Sequence, residues 1–218
     1  MAQPPALPPR PIWIGCLLLS LTMAAAFLMW WLQVSRNLSP LRVIGSVADF
    51  TLTNQAGQAV SLAGFSNQVW LADIVFTRCA GPCPRLTAQM KLLQDRLPPD
   101  HSARLVTLTT DPEFDTPAVL KKYGQHFGAD FNRWTFLTGS KSEIAALAGG
   151  SLKLSAQPVN PAEQKNTADL FIHTTIFVIV DKHARLRGFF ETGGDGVDWT
   201  NVVQPKILQA VQQLANEP

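Results

Sequence analysis

Along this chain the apolar residues first run almost without a break, then alternate with polar ones, then fall into helical spacing between short apolar runs. Ile12 to Val34 is interrupted by Ser20, Thr22 and Gln33, a length that spans a bilayer core as a helix, which takes about 20 residues. Phe50-Thr51-Leu52-Thr53 alternates, Asn54 to Gly57 carries turn residues, and Ala59-Val60-Ser61-Leu62 follows, which predicts a β-hairpin. Val69 to Phe76 reads as a buried central strand. Leu86, Met90, Leu93 and Leu97 then recur at helical spacing up to Pro98-Pro99.

Ala103 to Thr109 predicts a second strand, and Thr116-Pro117 opens a helix with Val119, Leu120, Tyr123 and Phe127 on one face. A short strand over Phe131–Leu137 and a short helix over Ser140–Ala148, stopped by Gly149-Gly150, come next. Leu152 to Ala168 has no clear period and reads as a loop or an inserted hairpin. Thr174 to Val180 is a β run, Asp181 to Ala184 turns the chain, and Leu186 to Glu191 pairs back. A last helix, starting near Pro205, carries Val203, Ile207, Leu208, Val211 and Leu214. Strands alternating with helices, closed by a hairpin and a helix, indicate a three-layer α/β domain.

Four segments follow: residues 1–11 as a proline-rich disordered tail, 12–34 as a transmembrane anchor, 35–45 as a linker and 46–218 as the soluble domain. Trp30 and Trp31 suit the lipid–water boundary. Ala24-Ala25-Ala26 offers a signal-peptide cleavage site, but the apolar run continues past it, which favours an uncleaved anchor. Cys16 precedes most of the apolar run, where a lipoprotein cysteine would follow it, and reads as a passive membrane residue. With no Arg/Ser-rich presequence, the expected place is a bacterial inner membrane, single-pass, with the carboxy-terminal domain in the periplasm or outside. The formal charge of +2 and the lack of a basic tract exclude a nucleic-acid partner from the expectations.

Two of the three cysteines lie in Phe76-Thr77-Arg78-Cys79-Ala80-Gly81-Pro82-Cys83-Pro84. Gly81 and Cys83 precede prolines, which disfavours the α conformation and predicts both thiols on a loop. Pro84 suits the first position of a helix, which leaves Cys83 at the N-cap, facing the positive end of the helix dipole. A thiol there is expected to ionise more readily, and the thiolate is the form that binds metal or attacks disulfides. Placed between the first central strand and its helix, the pair makes the domain thioredoxin-like.

Phe76-Thr77-x-Cys79-x-x-x-Cys83-Pro84, then Thr109-x-Asp111-Pro112-x-x-Asp115-Thr116-Pro117, Trp134-x-Phe136-Leu137-Thr138-Gly139 and His173-Thr174, follow in an order that resembles the Sco/SenC family. These are membrane-anchored copper proteins of cytochrome oxidase assembly. The resemblance covers nearly all of the soluble domain. It implies a thioredoxin-like three-layer sandwich with an N-terminal β-hairpin, preceded by one transmembrane helix. It also implies copper bound by Cys79, Cys83 and His173, as Cu(I) with Cu(II) left open. The implied partners are a copper-accepting oxidase subunit and a copper donor protein. Coordination chemistry agrees, since soft thiolates select Cu(I) and an imidazole completes a three-coordinate site. A structural zinc site wants four protein ligands.

His101, His126 and His183 read as solvated surface residues, whereas His173 opens an apolar strand, as a ligand or as a hydrogen-bonded cap. Asp111 and Asp115 recur in the family pattern but fit turn and helix-start positions. Arg78 offers a cation for anions or an acidic partner surface. Asp73 is the least expected residue, a carboxylate inside a buried strand. Asp73, Val75 and Thr77 share one face, which leads towards Cys79, and thioredoxins carry a buried acid at the same offset before their first cysteine. The alternatives for Asp73 are a proton shuttle with a raised pKa and a structural acceptor with a depressed one.

Three functions compete. The first is a copper metallochaperone that delivers copper to the copper centre of a terminal oxidase, which requires no turnover chemistry. The second is a membrane-tethered thiol-disulfide oxidoreductase using Cys79 and Cys83 on an exported or oxidase-subunit target. The third, a peroxidase of the peroxiredoxin kind, lacks the expected proline and threonine ahead of Cys79. Copper needs His173, while disulfide exchange needs the cysteines alone. Ile172-His173 also stands where a thioredoxin places a proline, which favours copper.

Overall fold

The computed structural model describes residues 10–36, 41–98, 103–154, 156–158, 171–173 and 175–217. It divides into two compact units, Met1–Pro40 and Leu41–Pro218. The first contains helix α1, Arg10–Arg36. The side chains described on α1 are those of residues 13–15 and 17–29, largely apolar and exposed. Among the described residues no helix is long and apolar enough to cross a membrane. The membrane span expected over 12–34 rests on the sequence.

The second unit is built on an eight-stranded mixed sheet. Its strands are β1 (Gly45–Ser46), β2 (Thr51–Asn54), β3 (Ala59–Ser61), β4 (Val69–Val75), β5 (Ala103–Thr109), β6 (Trp134–Thr138), β9 (Ile176–Val180) and β10 (Arg185–Glu191), in the spatial order β1-β10-β9-β4-β5-β6-β2-β3. A separate two-stranded ribbon pairs β7 (Ala156–Pro158) with β8 (Phe171–His173). The helices are α2 (Cys83–Arg96), α3 (Pro117–His126), α4 (Lys141–Ala145) and α5 (Gln204–Asn216).

β4 lies at the centre because every one of its residues is buried, as its continuous apolar run requires. It runs parallel to β5, and β5 to β6, through crossovers carrying α2 and α3; β9 flanks β4 antiparallel and β10 returns beside it. Strand parity separates two cores. Leu71 and Val75 face a layer with Leu86, Met90 and Leu93 of α2, Leu120 of α3 and Ile207, Val211 and Leu214 of α5. Trp70, Ala72 and Ile74 face the opposite layer, under Ile144 of α4 and Leu147. Each such fully buried aliphatic side chain contributes about 1.5–3 kcal/mol of transfer free energy.

The predicted elements fall close to where the pattern placed them, with four differences, the first being that the strand expected over Phe131–Leu137 begins at Trp134. The helix from Ser140, closed by a capping box with Glu143, passes through Gly149-Gly150 as a wider π turn to Ser151. A similar turn, Trp199–Val203, precedes α5. The β run expected from Thr174 begins at Ile176, and His173 ends β8 on the separate ribbon. His173 therefore does not open the long apolar strand; hydrophobicity alone could not show that two strands meet there. Much of Leu152–Ala168, and His101, lie outside the described residues.

Candidate functional site

At the carboxyl end of β4 the chain turns through Thr77 and Arg78, and the Cys79 N–H donates to the Phe76 carbonyl at 3.1 Å. This turn is clamped from the next crossover. Asp115 accepts the Thr77 N–H at 3.1 Å, the Thr77 hydroxyl, and the Thr109 hydroxyl at 2.5 Å. Thr109 in turn accepts the Asp111 N–H at 3.0 Å. Arg78 pairs with Asp111 at 2.5 Å and lies over the Phe114 ring at 4.1 Å. Thus Asp111 and Asp115 hold the cysteine loop in shape, a structural role that goes beyond the turn and helix-start positions expected of them. Thr116 is the cap of α3, accepting from Val119 N–H. Arg78, foreseen as a cation for a partner, is engaged within the fold.

Cys79 and Cys83 are both buried, Cys79 at 5% exposure and Cys83 at 0%. Their side chains hydrogen-bond to each other, and the Gly81 N–H points at the Cys79 sulfur at 3.3 Å. Cys83 is not the N-cap: Pro82 holds that place in an α conformation, and Cys83 is the first helical residue. Nor does it ionise more readily. Burial pushes its thiol well up, the Phe76 backbone donor offsets part of this, and Cys79 and the Asp73 charge add to it. In a dry site desolvation outweighs the helix dipole. Behind Cys83, the Thr87 hydroxyl donates to the Cys83 carbonyl at 3.0 Å and meets the Tyr123 hydroxyl at 2.7 Å.

Asp73 is fully buried, with its Oδ1 accepting the Thr107 hydroxyl at 2.7 Å and its Oδ2 lacking a partner among the described residues. Burial raises its carboxyl to about 7, against the smaller opposing effect of Thr107. It shares its sheet face with the cysteines' core layer, as parity predicted.

The His173 side chain lies outside the described residues, and among those described no group of three His, Cys, Asp or Glu side chains forms a metal site. The backbone just beyond His173 is placed. Thr175 O accepts the Thr192 N–H at 2.8 Å, and Thr192 O accepts Gln89 Nε2 of α2 at 3.0 Å. His126 and His183 are exposed, as expected. Sequence reasoning assigned nothing to Thr77, Thr87, Thr107, Thr109 or Gln89. The available signal was polar residues at alternate positions of a strand that is otherwise apolar, Thr107-x-Thr109.

A family model described as SCO1/SenC matches residues 44–207. A SCO1 protein homologue of Bacillus subtilis is 38% identical over 136 residues, 62% of this chain and 67% of that one. A Stutzerimonas stutzeri protein described as copper-binding is 27% identical over 165 residues, covering 75% and 77%. Among solved structures, that of BsSco, reported with a disulfide switch and as a member of the Sco family of cytochrome c oxidase assembly proteins, superposes with a TM-score of 0.67. It is 31% identical, over 83% of this chain and all of its own.

Proposed function

Since this chain belongs to the SCO1/SenC family, we propose that it is a copper metallochaperone that carries copper on Cys79, Cys83 and His173 to the copper centre of a terminal cytochrome c oxidase. The observation that carries this reading is the pair of adjacent, hydrogen-bonded thiols on a clamped loop. Two soft sulfurs fixed side by side suit Cu(I), which prefers thiolate to oxygen donors. The copper-binding description of the Stutzerimonas relative and the oxidase-assembly description of BsSco support it. So does the link from Thr175 through Thr192 to α2, which ties the chain two residues beyond His173 to the helix that begins at Cys83.

Copper here is cargo. Cys79 and Cys83 would supply thiolates, His173 an imidazole, and the Asp115 clamp would keep the sulfurs from separating when the cargo leaves. Residues 12–34 would tether the domain to a bacterial inner membrane, with a copper donor and an oxidase subunit as partners on its outer side. X-ray absorption of the reduced, copper-loaded chain should show two sulfur neighbours and one nitrogen. A site of oxygen ligands, or unchanged copper affinity in His173→Ala, would overturn the assignment. Intact mass and fractionation test the tether, which predicts a membrane-bound species retaining residues 12–34.

A second reading, thiol-disulfide exchange on an exported or oxidase-subunit target, draws on the asymmetry of the pair. Both sulfurs belong to the buried core, Cys79 at 5% exposure and Cys83 at 0%, so Cys79 would be the attacking and Cys83 the resolving sulfur. His173→Ala separates the two, since it abolishes copper binding and spares exchange.

A further inference from the structure

The two sides of the eight-stranded sheet end differently. β3 closes one side with a strand of three residues, Ala59–Ser61. On the other, β1 pairs with β10 only through Gly45 opposite Leu186 and Ser46 opposite Arg185, and the Ile44 N–H donates to the Leu186 carbonyl at 2.8 Å. Beyond Leu186 no strand among the described residues pairs with this side of β10. The Arg187 guanidinium instead holds the Leu41 carbonyl.

The register shows which backbone groups stay open. Phe190 stands opposite Phe177 in β9, and the Thr192 N–H donates to the Thr175 carbonyl at 2.8 Å. Bonded and non-bonded positions alternate in an antiparallel pair. Phe190 and Thr192 therefore turn their backbone groups to β9, and Phe189 and Glu191 turn theirs outward. The bulge between Leu186 and Gly188 precedes this stretch and leaves its register regular. Natural sheets blunt such edges with short strands, lysine or proline. β3 is short, but Gly188-Phe189-Phe190-Glu191 carries neither Lys nor Pro, and the Phe189 side chain is 41% exposed.

A cleft of about 320 Å³ lies against this edge, lined by Phe189, Phe190 and Glu191 of β10 and by Val197, Val202 and Lys206 from before and within α5. The charges from Glu191 to Lys206 are Glu191, Asp195 and Asp198 against Lys206, all exposed, so the rim is net negative in a chain of formal charge +2. β10 runs in the same sense as β4, which puts the open stretch at the end of the sheet that carries the cysteine loop.

We propose that the open edge of β10 is a docking site for an extended, basic segment of a partner protein, which joins the sheet as a further strand beside Phe189–Glu191. The backbone groups of Phe189 and Glu191 bond to it, the cleft takes its apolar side chains, and Glu191 and Asp198 face its Lys or Arg. A second copy of this chain is the poorer occupant, since pairing β10 with β10 sets two acidic rims against each other. The inference goes beyond copper carriage and rests on the sheet edge alone.

Because the main chain makes the contact, the probe is a generic peptide of about six residues, the usual strand length, alternating Val with Lys. Amide hydrogen exchange is followed by NMR on the reduced, metal-free full chain in detergent. Without peptide, the Phe189 and Glu191 N–H groups should exchange at least about tenfold faster than those of Phe190 and Thr192. Peptide at about 1 mM should slow them by about twofold or more, and the same peptide with Glu in place of Lys should bind at least about threefold more weakly. No slowing at Phe189 and Glu191 overturns the site, and equal binding of the two peptides overturns its preference for a basic partner. Protection already present without peptide also overturns the proposal: if it grows with protein concentration a second copy covers the edge, and otherwise the chain covers its own. N-methylation of the Val/Lys peptide at alternate residues tests strand addition without altering the protein. One parity should lose the protection and the other keep it, whereas equal effects would reduce the contact to apolar burial. The readout uses neither copper nor thiols, so failure of the copper assignment leaves this inference standing, and failure to dock leaves the copper assignment untouched.

Discussion

Asp181 and Asp73 are both buried, Asp181 in the turn between β9 and β10 at the end of the sheet away from the thiols and Asp73 within β4, and the fold treats them in opposite ways. Asp181 accepts the N–H groups of His183 and Arg185 at 2.9 and 3.0 Å, Arg185 Nε at 2.8 Å and Arg187 Nη1 at 2.6 Å. Burial pushes its carboxyl up, but these donors, Arg187 foremost, more than offset that and hold it below the usual range. Asp73 has one neutral hydroxyl and is raised to about 7. Asp115 lies between them. It has three donors, none of them charged, and burial still raises it. Neutral donors soften the desolvation of a carboxylate; a guanidinium reverses it. The end of the sheet that ties the chain together received a buried cation, whereas the cation at the thiol end, Arg78, is exposed.

The comparison breaks most severely at Arg187. Its guanidinium also binds Glu217 at 2.8 and 3.0 Å and the Leu41 carbonyl at 2.6 and 3.0 Å, so one buried side chain joins the first and last described parts of the domain. Arg187→Met strands Asp181 and should cost about 3 kcal/mol or more, as broken buried pairs do. Urea unfolding measures this, and proteolysis near Leu41 should accelerate.

Next in size is the pH dependence, where the two aspartates act with opposite sign. In the fold Asp73 keeps its proton to about 7, whereas the unfolded chain loses it near 3.8. Between those values the fold binds more protons, so stability falls as the pH rises, by roughly 4 kcal/mol in all. Asp181, depressed, contributes stability that is present above 3.8 and is lost as the pH falls through its folded value. Urea midpoints at pH 4 and pH 8 should therefore differ in the parent and converge in Asp73→Asn. Equal slopes in parent and variant would mean that Asp73 is not the origin.

How much of this contrast the sequence could carry depends on the range of the interactions. Strands, helices and the parity that sends Asp73 to the thiol layer are local periodicities, and they were legible. The turn that carries Cys79 was legible too, because prolines punctuate it, whereas Cys83, expected on the same loop, is the first residue of α2. Cys83 was misjudged, since a helix start is a local signal but the dryness of that start comes from the layers packed over it. The partners of Asp73 lie on β5 and β6, 34 and 27 residues apart in successive steps. Nothing in either strand marks its neighbour's register. The pattern of Leu152–Ala168 leaves loop and hairpin open for the same reason, since the pairing of β7 with β8 is not local.

Asp115 sharpens the middle of the series. Asp115→Ala removes the acceptor for the Thr77 N–H and for the Thr77 and Thr109 hydroxyls. The cost should be about 1–3 kcal/mol, the usual penalty for buried donors left unsatisfied. A released Cys79 loop should also alkylate faster at fixed pH, whereas a change in stability with unchanged Cys79 reactivity would deny that the clamp controls the thiol.

The smallest effect belongs to Arg78, and it tests whether a guanidinium by itself makes the difference or a buried one is required. The Arg78–Asp111 pair is as short as any at the Asp181 end, at 2.5 Å, but the Arg78 side chain is 39% exposed where that of Arg187 is 4%. Water screens the first pair, so its net contribution should be at most about 1 kcal/mol, with the stacking on Phe114 included. Arg78→Ala should accordingly lower stability by less than a third of the Arg187→Met effect, and most of its loss should disappear in 1 M salt, where the screening length falls to about 3 Å. A loss comparable to that of Arg187→Met, insensitive to salt, would show that the cysteine loop depends on its surface cation as strongly as the far edge depends on its buried one. The distinction between the two ends of the sheet would then lie in geometry and not in burial.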